Sequence, residues 1–153
     1  MKVSSCMKRN VVSVPLSATL REAAQMIAKK HIGLLPVVDK DEKPVGVLGL
    51  RDLLKLSLPD FVNFVADIDF VQDFGAVEDM RPTAKELNQS VKTLMRPVLT
   101  VKEDCKLLRA YALMMQQKLH DMPVVSEDGK LVGVASRVDI GAAILSTWDK
   151  ADK

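Results

Sequence analysis

The strongest constraint on this chain is that it repeats itself. Shifted by 87 positions, residues 12–53 lie on residues 99–140 without a gap. Val14 meets Val101, Leu20 meets Leu107 and Ala23 meets Ala110. Pro36-Val37-Val38 meets Pro123-Val124-Val125, Val45-Gly46-Val47 meets Val132-Gly133-Val134, and Asp52 meets Asp139. The matches fall on strand-like cores, turns and one acid, so what is repeated is a unit of structure. A unit of about 50 residues buries too little apolar surface to stand alone, so the two copies are expected to pack on each other.

Each copy has the same order of elements. In the first, Asn10–Val14 is a short β-branched strand, and Thr19-Leu20-Arg21-Glu22 has the form of a capping box that opens a helix. Leu20, Ala23, Ala24, Ile27 and Ala28 give that helix an apolar face. Leu35–Val38 and Pro44–Leu48 read as strands around the polar turn Asp39–Lys43, and Leu50–Leu56 as a second helix. The second copy repeats this with strands at Val98–Val101, Met122–Val125 and Leu131–Ala135. Its helices are expected at Lys106–Lys118 and Arg137–Thr147. The fold class is therefore α+β, built from two β-α-β-β-α units.

The expected organisation is a first repeat at 1–56, an insert at 57–93, a second repeat at 94–148 and a frayed polar tail at 149–153. All four phenylalanines, Phe61, Phe64, Phe70 and Phe74, fall in the insert. That is too apolar for a disordered linker, so the segment is expected to be helical and buried, on its own module or against a second subunit. Short helices are expected at Thr83–Asn88 and Ser90–Met95.

Composition excludes several function classes. A net charge of +2 is too small to argue for nucleic acid or an anionic membrane. No apolar run approaches the ~20 residues of a membrane span, and the N-terminus has no apolar signal core. Cys6 and Cys105 stand in no metal or redox spacing, which points to the cytoplasm with free thiols. No His, Cys and carboxylate set has metal-site spacing, and no nucleophile–base pair or Walker-type loop is visible. The expectation is a protein with no catalytic residues and no obligatory cofactor.

The stretch best suited to touch a ligand is Gly133-Val134-Ala135-Ser136-Arg137-Val138-Asp139, where an apolar strand runs straight into a helix. Free N–H groups at a helix start, with a hydroxyl beside them, suit a phosphate, and the acid three residues on suits a ribose diol. The same four residues, Ser136 to Asp139, also make an ordinary capping box, and N-capping is compatible with both readings.

Taken together, the β-α-β-β-α order, the Pro-Val-Val strand, the Val-Gly-Val strand and an acid six residues after its glycine resemble the cystathionine-β-synthase (CBS) domain family. Two tandem copies resemble a Bateman module. The resemblance implies two sheets packed on each other with pseudo-two-fold symmetry, two clefts between the repeats, and a flat homodimer. It also implies an adenosine-containing ligand (AMP, ADP, ATP, S-adenosylmethionine or a cyclic dinucleotide) and no reaction. AMP, ADP or ATP is the candidate regulatory ligand, and an unidentified effector protein is the implied partner.

Carried over by position, the family's pattern is met best in the second repeat. There Asp139 would take ribose hydroxyls and Ser136 a phosphate oxygen. Leu119, His120, Asp121 and Met122 would frame the base, with Pro97 and Val98 closing its other side. Arg137 and Arg96 are placed in sequence to reach phosphates. The first repeat departs from the pattern, because Gly49 stands where the second has Ser136. Its expected cleft residues are Val11, Ile32, Gly33, Leu34, Gly49, Arg51 and Asp52, a weaker and more apolar set. The function expected is that of an adenine-nucleotide sensor acting on another protein. The alternatives are a ligand-free structural or dimerisation module, or a binder of S-adenosylmethionine or another adenosine derivative.

Overall fold

The computed structural model describes residues 1–58 and 75–150. The four phenylalanines of the insert, and the helix expected around them, lie outside the described residues. The described chain runs β1 (Val14–Pro15), α1 (Leu20–Lys30), β2 (Leu34–Val38), β3 (Pro44–Gly49) and α2 (Leu50–Leu54). A 3-10 turn at Gly75–Asp79, α3 (Ala84–Leu87) and a second turn at Val91–Thr93 lead into the other half. That half comprises β4 (Val101–Lys102), α4 (Leu107–Gln116), β5 (Asp121–Val125), β6 (Leu131–Ser136) and α5 (Arg137–Leu145), with a closing turn at Trp148–Lys150. The α+β class and the tandem organisation are as the sequence predicts.

Each half has one three-stranded sheet. β1 is parallel to β2 and β2 antiparallel to β3; β4, β5 and β6 repeat the arrangement. The correspondence extends to a register shift at Val37/Val38 that recurs at Val124/Val125. Local chemistry sets the helix ends. The Thr19 hydroxyl accepts the Glu22 N–H at the start of α1, and His31 closes it in the left-handed conformation. Lys118 has the same left-handed φ after α4.

The first strands are much shorter than expected. Asn10–Val14 shrinks to Val14–Pro15, and Val98–Val101 to Val101–Lys102. The residues just before them are engaged elsewhere. The Lys8 N–H donates to the Val134 carbonyl at 2.9 Å, and the Lys8 carbonyl accepts the Val134 N–H at 3.0 Å. Arg96 and Val47 exchange the same pair of bonds at 2.8 and 3.0 Å. Each chain segment therefore crosses from the sheet of one half to that of the other a few residues before its own first strand begins.

This crossing decides where the cores lie. Val3, Cys6 and Met7 open the first half in sequence, yet they pack with Leu107, Met114, Met122 and Ile140 of the second half. In return Val91, Leu94 and Met95 pack with Leu20, Ile27, Leu35 and Leu48 of the first. The glycine of each Val-Gly-Val strand makes room for the visitor. A Cβ at Gly133 would lie 2.7 Å from the Met7 sulfur, and one at Gly46 would lie 2.8 Å from that of Met95. Both are closer than any side chain tolerates, so these glycines are dictated by packing.

Candidate functional site: two clefts and two acids

Two cavities lie where the halves meet, and the pseudo-two-fold relates them. One, of about 210 Å³, is lined by Lys8, Asn10, Val12, Ile32, Leu34 and Val134, among others. The other, of about 290 Å³, is lined by the counterparts Arg96, Pro97, Leu99, Leu119, Asp121 and Val47. We refer to them as the Lys8 cleft and the Arg96 cleft. Asp121, at the start of β5, lines both. Its counterpart at the start of β2 is Leu34.

The structure groups the expected residues differently from the sequence. Val11, Ile32, Gly33 and Leu34 come together as expected, but in the Lys8 cleft they are joined by Asp121 and by Val134 of β6. Pro97 and Leu119 line the Arg96 cleft with Val47 of β3. The crossing segments cause this exchange, because each cleft takes its β1- or β4-side wall from one half and its β3- or β6-side wall from the other. Met122 is fully buried in the core of the second half. Val98 is half-buried and Arg51 is exposed on α2, and both lie outside the linings of the two clefts. His120, Ser136 and Arg137 line a third, more open space of about 600 Å³ between α4 and α5.

The two acids share a position but not an environment. At α5, the Ser136 hydroxyl accepts the Asp139 N–H at 2.9 Å, and Asp139 Oδ2 accepts the Ser136 N–H at 3.2 Å. Ser136 and Asp139 thus form a capping box, and Asp139 remains half-buried. At α2, Asp52 is only 3% exposed, and its Oδ2 accepts both the Gly49 N–H at 2.8 Å and Arg96 Nε at 2.9 Å. Asp52 thereby belongs with the Arg96 cleft. Asp139, on α5, follows the strand β6 whose Val134 forms a wall of the Lys8 cleft, and its charge reaches Asp121 there, but among the described residues it makes no bond to Lys8.

Arg137 is held away from both clefts. Its guanidinium lies 2.6 Å from His120 Nδ1, and its N–H donates to the His120 carbonyl. Near Asp139, burial pushes the Cys6 thiol up, with the acid's charge adding to it, which keeps the thiol protonated and packed. Among the described residues there is no group of His, Cys, Asp and Glu that could hold a metal. No helix among them is long and apolar enough to cross a membrane.

Burial also raises the Asp121 carboxyl above its ordinary range; His120, when charged, and Lys8 pull it back, while Asp139 raises it further. The folded protein therefore holds this proton to a higher pH than the unfolded chain does. The group contributes most favourably below the unfolded pKa, and that contribution is lost as pH rises through the raised folded value. Asp121→Leu, which copies Leu34, is expected to stabilise the protein at pH 7 by about 1 kcal/mol. Its advantage should shrink towards pH 4. Thermal melts across pH 4 to 8 read both effects, and an advantage that grew in acid would contradict the assignment.

Sequence reasoning missed Lys8, Asn10, Val12 and Val134 as cleft residues and the bond between Arg96 and Asp52. One signal was present. Met7 precedes Val11 as Met95 precedes Val98, but with one residue more between them, which marks a second repeated element out of step with the 87-residue shift.

Known proteins share this architecture. A curated relative, the chloroplastic CBS domain-containing protein CBSX1 of Arabidopsis thaliana, is 30% identical over 153 residues, covering 95% of this chain and 64% of the relative. Its paralogue CBSX2 is 29% identical over 90% of this chain and 60% of its own length. The chain thus spans less than two thirds of either plant protein. The solved structure of CBSX2 in complex with AMP superposes with a TM-score of 0.70 at 29% identity, covering 95% of this chain and 96% of that one. The cytosolic domain of the Mg2+ channel MgtE in complex with ATP gives 0.66 at 25% identity, over 94% of this chain and 48% of that one. The model of the CBS domain matches twice, at residues 3–59 and 91–146, each match beginning in a crossing segment and ending in or just past the helix that carries the acid, so the chain belongs to the CBS domain family.

Proposed function

We propose that this chain is a non-catalytic regulatory module that binds an adenine nucleotide in the Lys8 cleft and signals its occupancy to a partner protein. The observation that carries this reading is the state of Asp139. Its Oδ2 closes the helix cap, while no hydrogen bond to Oδ1 is made among the described residues, so that oxygen can accept a ribose hydroxyl without breaking the fold. Lys8 supplies a cation in the same cleft, which favours AMP, ADP or ATP over the cationic S-adenosylmethionine. Val11, Ile32 and Leu34 supply apolar walls for a base. The AMP complex of CBSX2 and the ATP complex of the MgtE domain support the choice of ligand class.

Titration calorimetry tests this reading. AMP or ATP is expected to bind, and Asp139→Asn should weaken binding by roughly 10- to 100-fold, the loss of about 1.5–3 kcal/mol from charged hydrogen bonds. No heat with AMP, ATP or S-adenosylmethionine at millimolar concentration would sink the reading. A homodimer is the second element of the proposal. On the outer faces of α4 and α5, Leu108, Met115, Val138 and Leu145 are 71%, 54%, 77% and 52% exposed. An apolar stripe of this kind on adjacent helices is a surface to be covered. Sedimentation of a variant with Val138→Asp and Leu145→Asp should show a smaller particle than the parent chain, and an unchanged mass would rule this face out.

A further inference from the structure

The two clefts are related by symmetry, but one of them already has an occupant. Asp52 is almost wholly buried, and a guanidinium nitrogen of Arg96 donates to its Oδ2 at 2.9 Å while the Gly49 N–H donates to the same oxygen at 2.8 Å. The glycine and the arginine belong together. A Cβ placed at Gly49 would lie 3.3 Å from a terminal Arg96 nitrogen and 3.2 Å from Asp52 Oδ2, tighter than ordinary contact. The residue missing a hydroxyl in the first half is therefore the residue that makes room for the guanidinium. In the second half Ser136 keeps its hydroxyl on the cap, and Lys8 stands in the place of Arg96. Among the described residues Lys8 makes no side-chain hydrogen bond or ion pair with Asp139. A lysine offers a flexible point charge in place of a rigid fork, and the longer spacing before Val11 alters its approach.

Resting on the adenosine reading above, we infer that each chain binds one nucleotide, and that Arg96 closes the other cleft by holding Asp52 as a built-in substitute for ribose. A diol arriving in the Arg96 cleft meets a carboxylate that is only 3% exposed, with the guanidinium packed on it. To reach that carboxylate it would have to push the Arg96 side chain aside and give up a charge-assisted hydrogen bond for neutral ones. In the Lys8 cleft no such bond stands in the way. The asymmetry between Gly49 and Ser136 thus decides which cleft works, because it decides which acid stays accessible.

The test is the number of AMP sites per chain, measured by calorimetry on the full chain and three variants, with circular dichroism to check folding. The parent chain should bind one AMP. Asp139→Asn should lose it, with affinity falling at least tenfold. Arg96→Met keeps the side-chain stem and the backbone pairing with Val47 but removes the guanidinium; it should show two sites. The double variant Arg96→Met with Asp139→Asn should show one, now in the opened cleft. Gly49→Ser crowds Arg96 out by a different route and should also show a second site. Two sites in the parent chain, or one site in both Arg96→Met and Gly49→Ser, would overturn the inference while leaving nucleotide binding intact. Absence of binding in every variant would overturn the adenosine reading and this inference with it.

Discussion

Replacing Val3 and Met7 together with alanine is expected to destabilise the protein by about 4 kcal/mol and to loosen the half that is far away in sequence. Val3 is fully buried and Met7 is 8% exposed, and both pack in the core of the second half. A buried methionine cut to alanine costs about 2–5 kcal/mol, and the two methyls lost at Val3 add about 1.5 more. The hole opens above Gly133, whose missing side chain cannot fill it. For a chain of this length the midpoint of thermal unfolding should fall by roughly 10 °C. Hydrogen exchange locates the damage: amides of β5 and β6 should lose more protection than those of β2 and β3. The pair Val91 and Met95, which packs in the first half, should give the mirror-image result. If the Val3 and Met7 changes instead loosened only β2 and β3, the exchange of segments would be refuted.

Asp52→Ala is expected to cost about 2–3 kcal/mol, more than the same change at Asp139. Two losses contribute at Asp52. The Gly49 N–H, buried at the start of α2, loses its acceptor. An unsatisfied buried donor costs about 1–3 kcal/mol. The partner, Arg96, has a side chain 37% exposed, so water recovers much of its charge and the ion pair itself contributes little beyond the hydrogen bond. At Asp139 the Ser136 hydroxyl still caps α5, and the half-buried site admits water, so about 1 kcal/mol is expected there. Urea denaturation of the two variants in parallel gives the comparison. Equal costs would mean that the burial of Asp52 adds nothing to its hydrogen bonds.

Most of the local structure could be read from the chain, for reasons that are themselves local. Thr19, Ser136 and Asp139 are residues that cap helices, and they do. The order of strands and helices follows from periodicity and turn chemistry, and it holds element by element in both halves. The glycines of the Val-Gly-Val strands could be seen but not explained, because their reason is a methionine sulfur from another segment.

The sequence by itself determined that this protein is two copies of one α+β unit, with an acid at the same helix start in each and a hydroxyl in only one. Those properties are set by residues within a few positions of each other, where spacing translates directly into geometry. The tertiary structure alone decided which walls form which cleft. Lys8 and Arg96 lie 126 and 49 positions from Val134 and Val47, and only backbone hydrogen bonds across the two halves bring them together. It also decided that Arg96, which sequence reasoning places on a phosphate, instead holds Asp52. A guanidinium finds the nearest buried carboxylate with room beside it, and that room exists because residue 49 has no side chain.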